Sequence, residues 1–508
     1  MIKSESYKKG VVVSTLLNVF AKGIVFLNSL IIAFYFGANT GTDIYFYILS
    51  VVALITNTIN GIDYLVLVPQ SMKIREQKSE EEAQKFINFF IYSYLIIGIV
   101  LSLMGTFAPV FLYTLFSKYD INILNSNIKL LYLGSLIILF QLLNNFLSAV
   151  LTSYKFFSAS IISGLINSIF SISFTVFFHS KLGIVGTMVG VATGYGINFF
   201  ILIYVLKRYQ KWKFTAVRFM KDKRVWKNIG LMQINILPVW MRNYFAIYFL
   251  TGMGAGIITS FNLAQMFAAL PEIFILTQVA SVAGIKLSEL AAKKDLVQTN
   301  ILLINILKTL FIIIIPIALV MVIANKEIIQ LAFERGSFHK DSITTTALCF
   351  FYLSLILPSK IFDSLFTRLF TSFQLYGIST LFAFIAHTLI TLVLYVLTTH
   401  YKLHGYFIAM LVGYYLIVPA TFLIIIKYRI DNINISVIIK DTLLLFTAAV
   451  MIYFLAGYLF GLLHINIILK IIVLSFIVFL PFIFLANWLL DLKYQKQLVT
   501  AFLNKIVK

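Results

Sequence analysis

The sequence predicts an all-α polytopic membrane protein with about fourteen transmembrane helices, arranged as two six-helix lobes followed by two additional helices. Two observations carry this. Hydrophobic residues make up 61% of the 508 positions and charged residues 12%, whereas soluble domains are about half apolar and a quarter charged. The apolar residues also fall in continuous runs of about 20, the length a helix needs to cross a bilayer. An outer-membrane barrel would instead show alternating segments of about ten residues. The 27 Tyr and 49 Phe suit aromatic belts at the membrane surfaces.

Taken in order, the spans lie at roughly 11–36, 43–68, 86–116, 129–152, 157–178, 183–206, 229–250, 257–284, 299–324, 343–368, 376–398, 404–426, 442–463 and 466–490. The first follows Lys3, Lys8 and Lys9. It is too long for the apolar core of a signal peptide and lacks a small-residue cleavage pattern, so it reads as a retained span. The single cysteine, Cys349, sits in an apolar run and reads as a packing residue.

An even number of spans puts both termini on one side. With that side cytoplasmic, and with Lys129, Arg368 and Lys470 at the span ends counted with the segments they adjoin, the inner segments hold 28 of the 40 Lys and Arg, the outer loops hold 8, and Lys22, Arg242, Lys308 and Lys360 fall within spans. The segment KRYQKWKFTAVRFMKDKRVWK, 207–227, has nine basic residues and one acidic. The positive-inside rule places it in the cytoplasm. The net charge of +21 is then an orientation signal with attraction to anionic lipid heads, not a nucleic-acid footprint.

A shift of about 215 residues superposes Gly37 and Gly41 on Gly252 and Gly256, and Asn28 on Asn243. LYTLF (112–116) meets IIQLAF (328–333) with one further residue of offset. The expected organisation is a six-helix lobe over 1–206, a basic cytoplasmic linker over 207–228, a second lobe over 229–426, and two added helices over 442–490. Parallel repeats of this kind commonly hold a substrate site between the halves.

Charges near the bilayer centre cost roughly 2.5–3.5 kcal/mol each on insertion scales, so those present call for a reason. Lys22 and Asn28 lie in span one. Asp43 and Asp63 bracket span two, with Asn57 and Asn60 between them. Arg242 and Asn243 lie in span seven; Gln265, Glu272 and Gln278 in span eight; Lys360 and Asp363 in span ten; His387 in span eleven. Lys22, Asn28, Asn57, Asn60, Arg242, Asn243, Gln265 and Glu272 are the candidates for lining a wet cavity. The structural alternative pairs Lys22 with a span-two acid, Lys360 with Asp363 and Arg242 with Glu272, and makes His387 a satisfied buried imidazole. Asp43, at the head of span two, is either an outer gate or the N-cap of its own helix, for which Thr42-Asp43 is suited. No metal cluster, nucleophile triad or phosphate loop is visible, so neither an enzyme nor a cofactor is expected.

The stretch FGANTGTD, 36–43, has the form F-G-A-x-x-x-T-D. Followed closely by an aromatic, it resembles the first helical turn of the MurJ/MviN family of lipid II flippases, within the MOP transporter superfamily. AFERGSF, 332–338, is similar to that family's outer loop between helices nine and ten. The resemblance implies a bacterial inner-membrane protein with two lobes about a central cavity. It implies export of a polyprenyl-diphosphate-linked sugar to the outer leaflet for cell-wall synthesis, with the last two helices forming a groove for the lipid tail. The family's acid falls on Asp43. Its cavity arginines fall on Lys22, Asn28, the Thr56-Asn57 region and the Gln265-Met266 region, so only Lys22 keeps a charge. Helix eleven, 376–398, lacks the acids of the cation site some members have. Three other functions stay open: a flippase for a different lipid-linked oligosaccharide such as a surface-polysaccharide unit, a cation-coupled drug exporter of the same superfamily, and a membrane partner of glycan-assembly enzymes.

Overall fold

The computed structural model describes residues 7–156, 158–215 and 223–490. Among them the regular structure is helical, with no strand. The chain divides into two compact units. One runs to Leu263 and takes in Phe333–Ser342; the other holds Ala264–Ala332 and continues from Ile343.

The first unit contains α1 (Tyr7–Phe36), α2 (Thr40–Ile62), α3 (Val68–Gln77), α4 (Glu80–Phe107), α5 (Pro109–Thr114), α6 (Ile121–Ser126), α7 (Ile128–Ser153), α8 (Ser158–Leu182), α9 (Ile184–Gln210), α10 (Lys223–Leu250) and the start of α11 (Ile257–Ala268). Its helix starts are built from local chemistry. Ser79 caps α4, accepting from the Glu82 amide, and Glu80, Glu81 and Glu82 fill the first turn, where carboxylates complement the helix dipole. Phe86, Phe90, Phe146, Leu147, Val150 and Leu206 form part of one buried cluster. Between α8 and α9 the backbones meet closely. An added Cβ on Gly190 would lie 2.6 Å from the Phe170 carbonyl oxygen, and one on Gly194 2.7 Å from Asn167 Cα. Small residues spaced by four allow this approach, the usual packing device where lipid removes the hydrophobic drive.

The second unit contains the rest of α11, then α12 (Thr277–Ala292), α13 (Leu296–Ile323), α14 (Asn325–Phe333), α15 (Lys340–Ile356), α16 (Lys360–Ser372), α17 (Tyr376–Val412), α18 (Val418–Arg429), α19 (Ile435–Leu462) and α20 (Ile467–Leu490). Asp295 caps α13 and Asn434 caps α19. The two last helices pack on α13, and ion pairs tie α19 to α13 and α20 to α14. Lys308 meets Asp441 at 2.9 Å, and Lys470 meets Glu327 at 3.4 Å.

Eleven helical stretches among the described residues are long and apolar enough to span a membrane. The stretch Gly377–Arg429 is 53 residues, about 80 Å at 1.5 Å per residue, and it breaks at Lys402, where φ is 49° and ψ −127°. It is therefore two spans. With α1 and the more polar α10, the fourteen expected spans are accounted for.

Two expected boundaries change. The run 86–116 is not one helix: α4 stops at Phe107, Ala108 turns to φ −136° and ψ 58°, and α5 starts at Pro109. The residue before proline is pushed out of the helical region by the ring. Span two does not stop at 68 but continues as helix to Gln77 through a π-turn, Asp63–Leu67. Further π-turns cover Glu272–Leu276 and Gly413–Ile417. Two of them share the pattern x-Y-x-x-x-V-P, DYLVLVP (63–69) and GYYLIVP (413–419). Proline cannot donate to the carbonyl four residues back and its ring crowds that oxygen. The preceding turn widens instead, so that Val68 donates to the Asp63 carbonyl and Val418 to that of Gly413.

The basic linker is partly folded back. Trp212 Nε1 donates to Asn88 Oδ1 at 2.8 Å, Asn88 Nδ2 to the Lys213 carbonyl at 2.7 Å, and the Lys213 amide to Gln84 Oε1 at 3.1 Å. Its part from 216 to 222 lies outside the described residues.

Candidate functional site

The best-defined polar site lies where the starts of α2 and α11 meet. Asn39 takes the N-cap position of α2. Its Oδ1 accepts from the Gly41 and Thr42 amides at 2.8 and 3.1 Å, and Thr42 Oγ1 accepts from the Asn39 amide at 2.9 Å. This reciprocal capping box satisfies the first turn locally. The carboxylate of Asp43 is thus left for another task, and its side chain is fully buried.

That carboxylate faces α11. Oδ2 accepts from the Gly256 amide at 2.5 Å, while Oδ1 accepts from the Thr259 amide at 2.8 Å and from Thr259 Oγ1 at 2.7 Å. Thr259 Oγ1 also lies 3.0 Å from Thr42 Oγ1. The first amides of a helix have no intrahelical partner, and a negative charge there is favoured by the dipole. Asp43 therefore caps a helix that begins 214 residues further along the chain. Gly256 makes the approach feasible, since its φ of +82° is one that residues with a Cβ rarely adopt. The sequence marked Asp43 but not Thr259: a hydroxyl at a helix start carries no sign of a distant acceptor.

The other predicted residues lie as follows. Lys22 is exposed on α1, and among the described residues no ion pair engages it. Asn28 is half-buried, and its Oδ1 accepts from Ser171 Oγ at 3.0 Å, which binds α1 to α8. Asn57 is exposed on α2; the Oδ1 of Asn60 is buried and has no hydrogen-bond partner among the described residues. Their helix runs beside α10, where Gln233 Nε2 donates to the Thr58 carbonyl at 3.3 Å. Further along α10, Arg242 Nη2 donates to Asn243 Oδ1 at 3.3 Å. Gln265 is exposed on α11.

Glu272 takes a partner that the sequence did not assign to it. Its carboxylate meets Lys360 Nζ at 2.6 Å, so Lys360 reaches across to another helix. The cause is the packing of α12 on α16. Ser288 and Ser372 hydrogen-bond at 3.0 Å, and an added Cβ on Gly284 would stand 3.2 Å from Arg368 Cδ. That contact brings the first turn of α16 beside the π-turn that precedes α12. His387 is buried in α17. Asp63, in the first π-turn, is buried and accepts from Tyr94 Oη at 2.6 Å, a partner the sequence did not indicate.

Known proteins agree with this architecture. The family model described as lipid II flippase MurJ matches residues 32–482. A curated protein of Borreliella burgdorferi (strain ATCC 35210 / DSM 4680 / CIP 102532 / B31), called probable lipid II flippase MurJ, is 26% identical over 374 residues, covering 68% of this chain and 70% of its own. Among solved structures, one titled lipid II flippase MurJ in the inward closed conformation superposes with a TM-score of 0.76 at 19% identity, over 94% of this chain and 98% of its own. An inward-facing multidrug-resistance MATE transporter of the MOP superfamily gives 0.67 at 13% identity, over 82% of this chain and 98% of its own. The last two establish the fold alone. The family match spans most of the sequence and includes the Asp43 clamp and the AFERGSF segment. The chain belongs to the MurJ family of lipid II flippases, multi-pass membrane transporters rather than enzymes.

Proposed function

We propose that this protein carries a polyprenyl-diphosphate-linked sugar precursor such as lipid II from the inner to the outer leaflet by alternating access, with Asp43 as the lock of the outer gate. The observation that carries the gate is the bond set of Asp43, which ties the second helix of the first half of the sequence to the corresponding helix of the second half. The family match supports the substrate class. In the inward-open state the carboxylate caps α11 and keeps the outer mouth shut; in the outward-open state Gly256 and Thr259 leave it and water takes their place.

Both termini and the basic linker lie in the cytoplasm in this reading, in agreement with the excess of basic residues. The headgroup crosses through a polar cavity to which Lys22, Asn28, Asn57, Asn60, Arg242, Asn243, Gln265 and Glu272 contribute, while the tail stays in lipid beside α19 and α20. A cytoplasm-negative potential favours outward movement of the anionic headgroup by about 2.3 kcal/mol per charge per 100 mV.

A second substrate has a specific observation in its favour. Asn28, Asn57 and Gln265 stand where the family resemblance implies arginines. A cavity with fewer cations grips a diphosphate less strongly and leaves more of the recognition to the glycan, which suits a different lipid-linked oligosaccharide. Depleting the protein in its own host and identifying the lipid-linked intermediate that accumulates on the inner leaflet decides between the two. Accumulation of lipid II supports the first. Accumulation of another lipid-linked glycan with lipid II unchanged supports the second, and no accumulation of either overturns both.

A further inference from the structure

The segment AFERGSF supplies the other end of the same device. A helix leaves its last four carbonyls without intrahelical partners, and all four in α1 can be traced. The Ala33 carbonyl accepts from the Gly37 amide at 2.9 Å, and that of Phe36 accepts from Asn39 Nδ2 at 2.7 Å. The two between them are satisfied from 300 residues away: Phe34 accepts from the Ser337 amide at 2.8 Å, and Tyr35 from Ser337 Oγ at 3.0 Å. The fit is close on both sides. Gly336 has φ +61° and Gly37 has φ +66°; an added Cβ on Gly336 would collide with the Phe34 carbonyl oxygen, and one on Gly37 with that of Ser337. Phe338 is buried nearby, its ring tilted against that of Phe333 with the centroids 5.4 Å apart. Residues 333–342 belong to the first unit, although α14 and α15, on either side, lie mainly in the second.

We propose that Gly336-Ser337 is a second latch of the outer gate, a strap that caps α1 in the closed state and releases it on opening. This rests on the outer-gate reading of Asp43. The two devices are complementary. Asp43, from the first half of the sequence, caps the start of a second-half helix, and Ser337, from the second half, caps the end of a first-half helix. Each bond set exists only while the halves are joined at that end, so the gate opens only when both caps are given up to water.

The test uses the full-length protein in membranes in a Cys349→Ser background, with a reporter cysteine at Ile44, a fully buried residue beside Asp43. The readout is its labelling rate by an impermeant maleimide from outside, which needs no transport assay. Gly336→Ala removes the fit and Ser337→Ala removes the Tyr35 bond. Each is expected to speed labelling about two- to tenfold, the population shift that one net hydrogen bond supplies. Asp43→Asn should do the same, and Glu334→Ala, an exposed change in the same segment, should not. Should Gly336→Ala fail to reach the membrane, Ser337→Ala carries the test. Unchanged labelling in the strap variants with faster labelling in Asp43→Asn overturns the latch and leaves the gate standing. Unchanged labelling in Asp43→Asn with faster labelling in the strap variants removes Asp43 from the gate and keeps the strap.

Discussion

A buried carboxylate that accepts three hydrogen bonds from one helix end is sensitive to each of its donors. Thr259→Val removes the hydroxyl but keeps the amide, and should destabilise the closed state by about 1 kcal/mol. Asp43→Ala removes the acceptor and strands the Gly256 and Thr259 amides, which costs about 1–3 kcal/mol for each buried group left unpaired. Asp43→Asn falls between, since the amide oxygen still accepts while the charge is lost. Outer labelling of the Ile44 reporter should therefore rise in the order Thr259→Val, Asp43→Asn, Asp43→Ala; equal rates in all three would refute a graded clamp. At this scale the sequence revealed the donors of charge better than their partners. Asp43 stood out as an acid heading an apolar run, and Lys360 as a cation within one. The partners, Thr259 and Glu272, follow from how α2 meets α11 and how α12 meets α16, and no local pattern encodes that. Local rules offered Asp43 its own N-cap and offered Lys360 the nearby Asp363. The first position was already held by Asn39 through its capping box.

At the scale of the element, the apolar runs located the helices because burial in lipid requires about 20 consecutive apolar residues, whatever the tertiary fold. Continuity was harder to read. Pro109 ends a helix, whereas Pro69 and Pro419 sit within continuous helix and widen it. Local sequence does not separate these outcomes, because a proline is tolerated only where neighbouring groups satisfy the freed carbonyl. The π-turn at Asp63–Leu67 gives a test. Pro69→Ala restores an amide that can donate to the Leu65 carbonyl and lets the turn tighten, which rotates α3 relative to α2. Because proline within a helix costs about 3 kcal/mol, the variant should unfold at a higher temperature in detergent. If the wide turn serves the transport cycle, its flipping rate should fall. A variant that is more stable and flips at the wild-type rate would make the turn a tolerated irregularity. The link between α13 and α19 is a second test. Asp441→Ala leaves Lys308 without its 2.9 Å partner; both side chains are half-buried, so the loss should fall below the roughly 3–5 kcal/mol of a fully buried pair. Its Tm should drop clearly, and Lys308→Met with Asp441→Leu should recover most of the loss. A double variant no more stable than Asp441→Ala would show that the pair holds the two helices in a way apolar packing cannot replace.

For the whole molecule, orientation is the property that chain-wide chemistry determines most directly. It sums many small terms, each basic residue adding a cost to translocation irrespective of its neighbours, so the sequence can propose it where it cannot propose individual contacts. With the N-terminus inside, 28 of the 40 basic residues fall on the inner side. The Asp43 clamp and the Ser337 strap then fall at the outer end, while Trp212 and Lys213 dock on α4 at the inner end. Two exposed positions test this without disturbing either device: Thr215, in the linker, and His339, just past the strap. In a Cys349→Ser background, Thr215→Cys should react with an impermeant maleimide only in inverted vesicles, and His339→Cys only in intact cells. The opposite pattern would place the clamp and the strap on the cytoplasmic side. They would then close the entrance for substrate from the inner leaflet rather than its exit, and the direction of every step in the proposed cycle would reverse.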